Sequence, residues 1–105
     1  SLRQSAIQAW ESFASSLDET SRYQNEIIPS ARKAYKQADN GYSRGAFGFL
    51  DLLDAQRTLY EVQESHLDSL LSLYEAKAKT DFLMGTYSPL IEKISHADLE
   101  GKTND

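Results

Sequence analysis

The residues that break helices are concentrated in one place. Of the chain's five glycines, three stand at positions 41, 45 and 48, and glycine tolerates positive φ and close backbone approach. Helical patterns flank this stretch. Ala31, Ala34, Tyr35 and Ala38 lead into it, and Leu50, Leu52, Leu53 and Leu59 lead away from it. The chain is therefore expected to reverse once, between two long helices. Asp51 and Asp54 fall in the first turns of the second helix, where unpaired amides and the helix dipole favour negative charge.

Little else interrupts the helices. There are two prolines in 105 residues, and strand-like alternation is missing. The sequence predicts an all-α protein, a long antiparallel helical hairpin of coiled-coil type. Residues 1–86 form the hairpin, with helix 1 over about 2–40, a tip turn over 41–48 and helix 2 over about 49–84; residues 87–105 form a strap and polar tail. In helix 1, Leu2, Ala6, Ala9, Trp10, Phe13 and Leu17 recur three or four apart on one face. The polar stretch Asp18–Glu26 is expected to stay helical, and Pro29 to kink the helix by removing a donor and crowding the preceding turn. In helix 2 the pairs Leu52-Leu53, Leu59-Tyr60, His66-Leu67 and Leu73-Tyr74 repeat every seventh residue, and Leu70 fills between them. A strict heptad implies helices that supercoil, so these residues are expected to be core. Gly85 is the expected stop; Tyr87 to Ile91 is expected to form a short helix or an extended strap, and Ser95 to Asp105 a disordered or loosely tied tail.

Composition narrows the function. A formal net charge of −5 argues against nucleic acid and anionic lipid. No run reaches the ~18 apolar residues of a spanning helix, and the opening residues do not show the basic n-region and apolar core expected of a signal peptide. Zero cysteines exclude disulfides and thiolate zinc sites. His66 and His96 are isolated, so no metal site or cofactor is expected. No nucleophile or phosphate loop accompanies the carboxylates, which argues against an enzyme. Two helices of this length expose apolar stripes that a lone hairpin cannot cover. The chain is expected to need partners, or to be a piece of something larger.

The run Gly41-Tyr42-x-x-Gly45, then Phe49-Leu50-Asp51-Leu52-Leu53-Asp54-Ala55-Gln56-Arg57-Thr58-Leu59, then Tyr74-Glu75-Ala76 and Leu83-Met84-Gly85, resembles the TolC-like outer membrane efflux proteins. Ile27-Ile28-Pro29-x-Ala31 through Ala38 resembles the descending helix of that family. The wording Leu-Asp-Ala-Gln-Arg-Thr-Leu is similar to the cobalt-zinc-cadmium branch. The resemblance implies a homotrimeric efflux duct with a periplasmic α-barrel and an outer membrane β-barrel, working with a periplasmic adaptor and an inner membrane pump to export drugs or metal cations. This chain would be the second hairpin, in the periplasm, of a parent in the outer membrane. Carried over by position, Tyr42 matches a tip tyrosine that helps hold the duct closed. Asp51 and Asp54 match carboxylate rings at the entrance, and Arg44, Gly45 and Ala46 match the adaptor-docking tip. Phe47 stands where some members carry an arginine, so a hydrophobic constriction replaces a charged lock.

Plainer alternatives stay open for each position. Asp51 and Asp54 can simply complement the helix dipole, worth ~0.3–1 kcal/mol each. The glycines can be turn residues only, and Arg57 a surface partner of Asp54 at i,i+3. As a whole, the chain can also be a soluble coiled-coil interaction module with no transport role. As an excised piece, the hairpin can pair with a second copy, which buries the stripe that neighbouring hairpins cover in the duct and gives a four-helix arrangement.

Overall fold

The computed structural model describes the backbone of residues 1–103 and the side chains of residues 1–86. It is all-helical, with no strand among the described residues. Helix α1 covers Leu2–Arg22, a π-helical turn covers Tyr23–Ile27, α2 covers Ile28–Ser43, and α3 covers Phe49–Thr103. The chain divides into two units, Ser16–Leu73 and the pair formed by Ser1–Ser15 with the chain from Tyr74 onward.

Within Ser16–Leu73 the two arms are antiparallel: Thr20 meets Ser69, and Tyr23, further along the first arm, meets His66, further back on the second. The first arm buries Thr20, Ile28, Ala31, Ala38 and Gly41. Small side chains let the helices approach closely, and the second arm meets them with Leu52, Leu59, Val62, His66, Ser69, Leu70 and Leu73, all at least half-buried. Two hydroxyls are buried with partners. Thr20 Oγ1 donates to Ser69, whose own hydroxyl donates to the carbonyl of His66 at 2.7 Å. A satisfied hydroxyl avoids the ~1–3 kcal/mol cost of an unmade buried bond.

In the other unit, Ala6 and Ala9 are buried and Thr80 Oγ1 donates to the carbonyl of Ala9 at 3.0 Å. Trp10 stands tilted against Phe13, with 5.9 Å between ring centroids, but is mostly exposed. Arg3, Ile7, Trp10, Glu11 and Met84 line a shallow apolar groove.

Several expectations change. The heptad pairs split: Leu52, Leu59, His66 and Leu73 turn inward, whereas Leu53, Tyr60, Leu67 and Tyr74 are exposed. Adjacent residues on a helix lie ~100° apart, so one hairpin partner covers only one member of each pair. The α1 face divides for the same reason, with Ala6, Ala9 and Phe13 inside and Trp10 and Leu17 outside. The polar stretch stays helical, and the disturbance before Pro29 takes the form of a π-turn, in which the Ile28 N–H bonds the carbonyl of Tyr23 five residues back. Helix α2 runs through Gly41 to Ser43, so the turn itself is only residues 44–48. Gly85 does not stop α3, whose backbone is helical through Thr103. A lone glycine costs a helix only ~1 kcal/mol relative to alanine, and the sequence beyond it contains the helix formers Leu90, Glu92, Lys93, Ala97, Leu99 and Glu100. The side chains of the expected strap and tail, His96 included, lie outside the described residues.

Candidate functional site: the hairpin tip

The tip is built by two helix ends that satisfy their own backbone. At the end of α2, Gly45 takes φ 76°, the left-handed conformation that suits glycine. This brings the Gly45 N–H to the carbonyl of Tyr42 at 3.0 Å and the Ala46 N–H to the carbonyl of Gly41 at 2.7 Å. These are the two bonds of a Schellman closure. The Phe47 N–H also reaches the Gly41 carbonyl, at 3.0 Å. The Phe47 ring then lies over Gly41, where a Cβ would overlap it. Gly41 is thus a buried contact surface inside the helix, and Gly45 is the residue that turns the chain.

At the start of α3 the reciprocal device appears. Asp51 Oδ2 accepts the Gly48 N–H at 3.0 Å, the carboxylate half of a capping box, and the Leu52 N–H closes the first helical turn on the Gly48 carbonyl. Asp51 therefore caps the start of α3. Asp54, one turn further on, is exposed and makes no ion pair or hydrogen bond among the described residues. Arg57 pairs instead with Glu61, Nε to Oε1 at 3.6 Å, which corrects the expected Asp54 partnership. Both separations reach across one helical turn, and the i,i+4 carboxylate takes the guanidinium. Asp54 shares a shallow surface with Leu50, Leu53, Arg57 and Tyr60.

The remaining candidates cluster around the turn. Tyr42 and Phe49 hold their rings 5.7 Å apart at 53°, and both are about half exposed. Phe47 is 49% and Leu50 75% exposed, so the tip shows an aromatic and apolar surface to solvent. Arg44 bonds back to the carbonyl of Asn40 through its backbone N–H at 3.1 Å and through Nε at 3.4 Å. Gly45 has open space around its Cα. The structure thus gathers Tyr42, Arg44, Gly45, Ala46, Phe47 and Asp51 into one turn and places Asp54 one helical turn above it. The sequence reading missed Phe49 and Leu50 as tip surface; their place in the first turn, ahead of the inward Leu52, was the available signal.

No three His, Cys, Asp or Glu side chains converge as a metal site among the described residues, and no described helix is long and apolar enough to cross a membrane. Within Ser16–Leu73, two antiparallel helical arms closed by a self-capped tip, with Leu53, Tyr60 and Leu67 exposed at heptad spacing, define a class: an α-helical hairpin. Comparison with known proteins gives the family. Residues 4–86 match the family described as outer membrane efflux protein, and the chain belongs to it. It is a transport family, not an enzyme family. The chain is also 37% identical, over 59 residues, to the cobalt-zinc-cadmium resistance protein CzcC of Cupriavidus metallidurans. That match covers 56% of this chain and 14% of the relative's length. No solved structure shows a significant match.

Proposed function

We propose that this chain is a tunnel hairpin of a homotrimeric outer membrane efflux duct, with its tip in the periplasm, exporting metal cations together with a periplasmic adaptor and an inner membrane pump. Family membership carries the transport reading, and one observation supports the packing of the hairpin beside further helices. The outward residues Leu53, Tyr60, Leu67 and Tyr74 recur every seven positions on α3 and are between 40% and 64% exposed, a spacing that fits a neighbouring helix. In the duct, hairpins on either side cover that stripe. At the tip, the exposed residues Arg44, Gly45 and Ala46 offer a surface for an adaptor, while Tyr42 and Phe47 narrow the passage. Three copies each of Asp51 and Asp54, one helical turn apart on α3, give the entrance a negative ring that favours cations.

The same stripe would serve a soluble coiled-coil module equally well. Single-channel conductance of the full-length parent protein, with multivalent cations on the periplasmic side, separates the two. A conducting trimer whose cation block weakens in Asp54→Ala supports the duct and its ring. Equal block in Asp51→Ala, Asp54→Ala and the double variant keeps the duct and returns both aspartates to helix chemistry. A protein that self-associates but never conducts supports the module.

A further inference from the structure

The π-turn at Tyr23–Ile27 is one residue too many. Above it the inward positions are Ala6, Ala9, Phe13, Ser16 and Thr20, in steps of three and four; below it they are Ile28, Ala31, Tyr35 and Ala38, in the same steps. From Thr20 to Ile28 is eight residues, where two turns of an α-helix take about 7.2 and a heptad takes seven. An unbroken α-helix would swing Ile28 some 80° off the inward face. The π-turn absorbs the extra residue and restores the face.

The restraints on the segment are lopsided. Immediately above, Thr20 is tied to the carbonyl and hydroxyl of Ser69, and immediately below, Ile28 is buried. Between these anchors Tyr23 alone is partly buried, and Gln24, Asn25, Glu26 and Ile27 are exposed. Pro29 supplies no N–H for the carbonyl of Asn25, which would accept that bond in an α-helix. Across the interface Tyr23 stacks on His66, ring centroids 6.2 Å apart, and the buried His66 Nε2 has no hydrogen-bond partner among the described residues. That contact has no polar bond to break when the rings slide.

We propose that Tyr23–Ile27 is an inserted hinge, through which the tip-bearing helix α2 changes its twist against α3 while the Thr20–Ser69 anchor stays fixed. It does not depend on what the duct carries. Since the extra residue serves motion rather than packing, the hairpin folds without it. The test compares this chain with two single-residue deletions, one of Asn25 inside the π-turn and one of Lys33 in α2, both exposed positions. Deleting Asn25 gives an ordinary α-helix in register, with Tm equal to or above that of the parent, whereas deleting Lys33 turns Tyr35 and Ala38 off the interface and lowers Tm. Amide exchange at residues 24–28 is expected to be faster than in the flanking helices of the intact chain, and to slow by about tenfold or more after the Asn25 deletion. Equal loss of Tm in both deletions would overturn the proposal, because the residue would then belong to the packing. Exchange at 24–28 of the intact chain as slow as in α1 and α2 would overturn it independently of any variant. Pro29→Ala, which restores the donor at unchanged length, is expected to slow exchange over the same residues, and unchanged exchange there counts against the hinge.

Discussion

Adding one methyl at Gly41 tests how the tip is held together. Glycine inside a helix is unfavourable relative to alanine by ~0.5–1 kcal/mol, so Gly41→Ala alone should stabilise α2 by that amount. The Phe47 ring opposes it, since the new Cβ falls within the ring's volume. Two responses are open. Keeping the ring in place means overpacking, at ~1–3 kcal/mol. Moving it out forfeits the buried half of a side chain that is already 49% exposed, about half of the ~1.5–3 kcal/mol for burying a phenylalanine, or roughly 1 kcal/mol. The ring takes the second course, because it lies at the edge of the hairpin with solvent beside it. Gly41→Ala should therefore be close to neutral in the intact chain, the two effects cancelling. In a Phe47→Ala background the opposition is gone, and the same substitution should stabilise by ~0.5–1 kcal/mol. Urea unfolding of the four chains of this cycle should give a coupling of ~0.5–1 kcal/mol. The same stabilisation in both backgrounds would show that Phe47 does not rest on Gly41, and the account of a buried glycine would be wrong.

Two further expectations concern the same turn. Gly45→Ala places a side chain at φ 76° and should destabilise by ~1–2 kcal/mol, although nothing stands within 4 Å of the new Cβ; a neutral result by urea unfolding would place the turn in another conformation. Asp51→Ala removes the acceptor of the Gly48 N–H and should cost ~0.3–1 kcal/mol, whereas Asp54→Ala, with no partner among the described residues, should stay within about ±0.5 kcal/mol. Equal costs for the two, measured in the same way, would remove the distinction drawn between a capping carboxylate and a free one.

The fold and the tip were legible in the sequence to different depths. Helix, reversal and antiparallel pairing followed from periodicity and from glycines gathered in one stretch, because these are properties of a backbone read one segment at a time. The end of α2 was misplaced by three residues for an instructive reason. Asn40-Gly41 has the composition of a helix stop, but Gly41 is required by the ring of Phe47, a contact between residues on opposite sides of a turn whose shape the composition does not specify. The carboxylates show the same limit: Asp51 and Asp54 have identical chemistry one turn apart, and only the path of the Gly48 amide separates the one that caps from the one left free.

The π-turn was legible in principle. Its signal is an eight-residue step, from Thr20 to Ile28, in a face that otherwise advances by three and four, and it was hidden because Thr20 is polar and was not counted as part of that face. Thr20 belongs there because its hydroxyl is satisfied by Ser69. A buried polar residue with a partner carries register information that hydrophobic periodicity alone discards. The same applies to Ser69 and Thr80, each buried and each hydrogen-bonded. Counting such hydroxyls as inward positions restores the inward stripe of α3 as Leu52, Leu59, His66, Leu73 and Thr80 at strict heptad spacing. The outward leucines and tyrosines then stand apart as a second, exposed stripe, one residue further along.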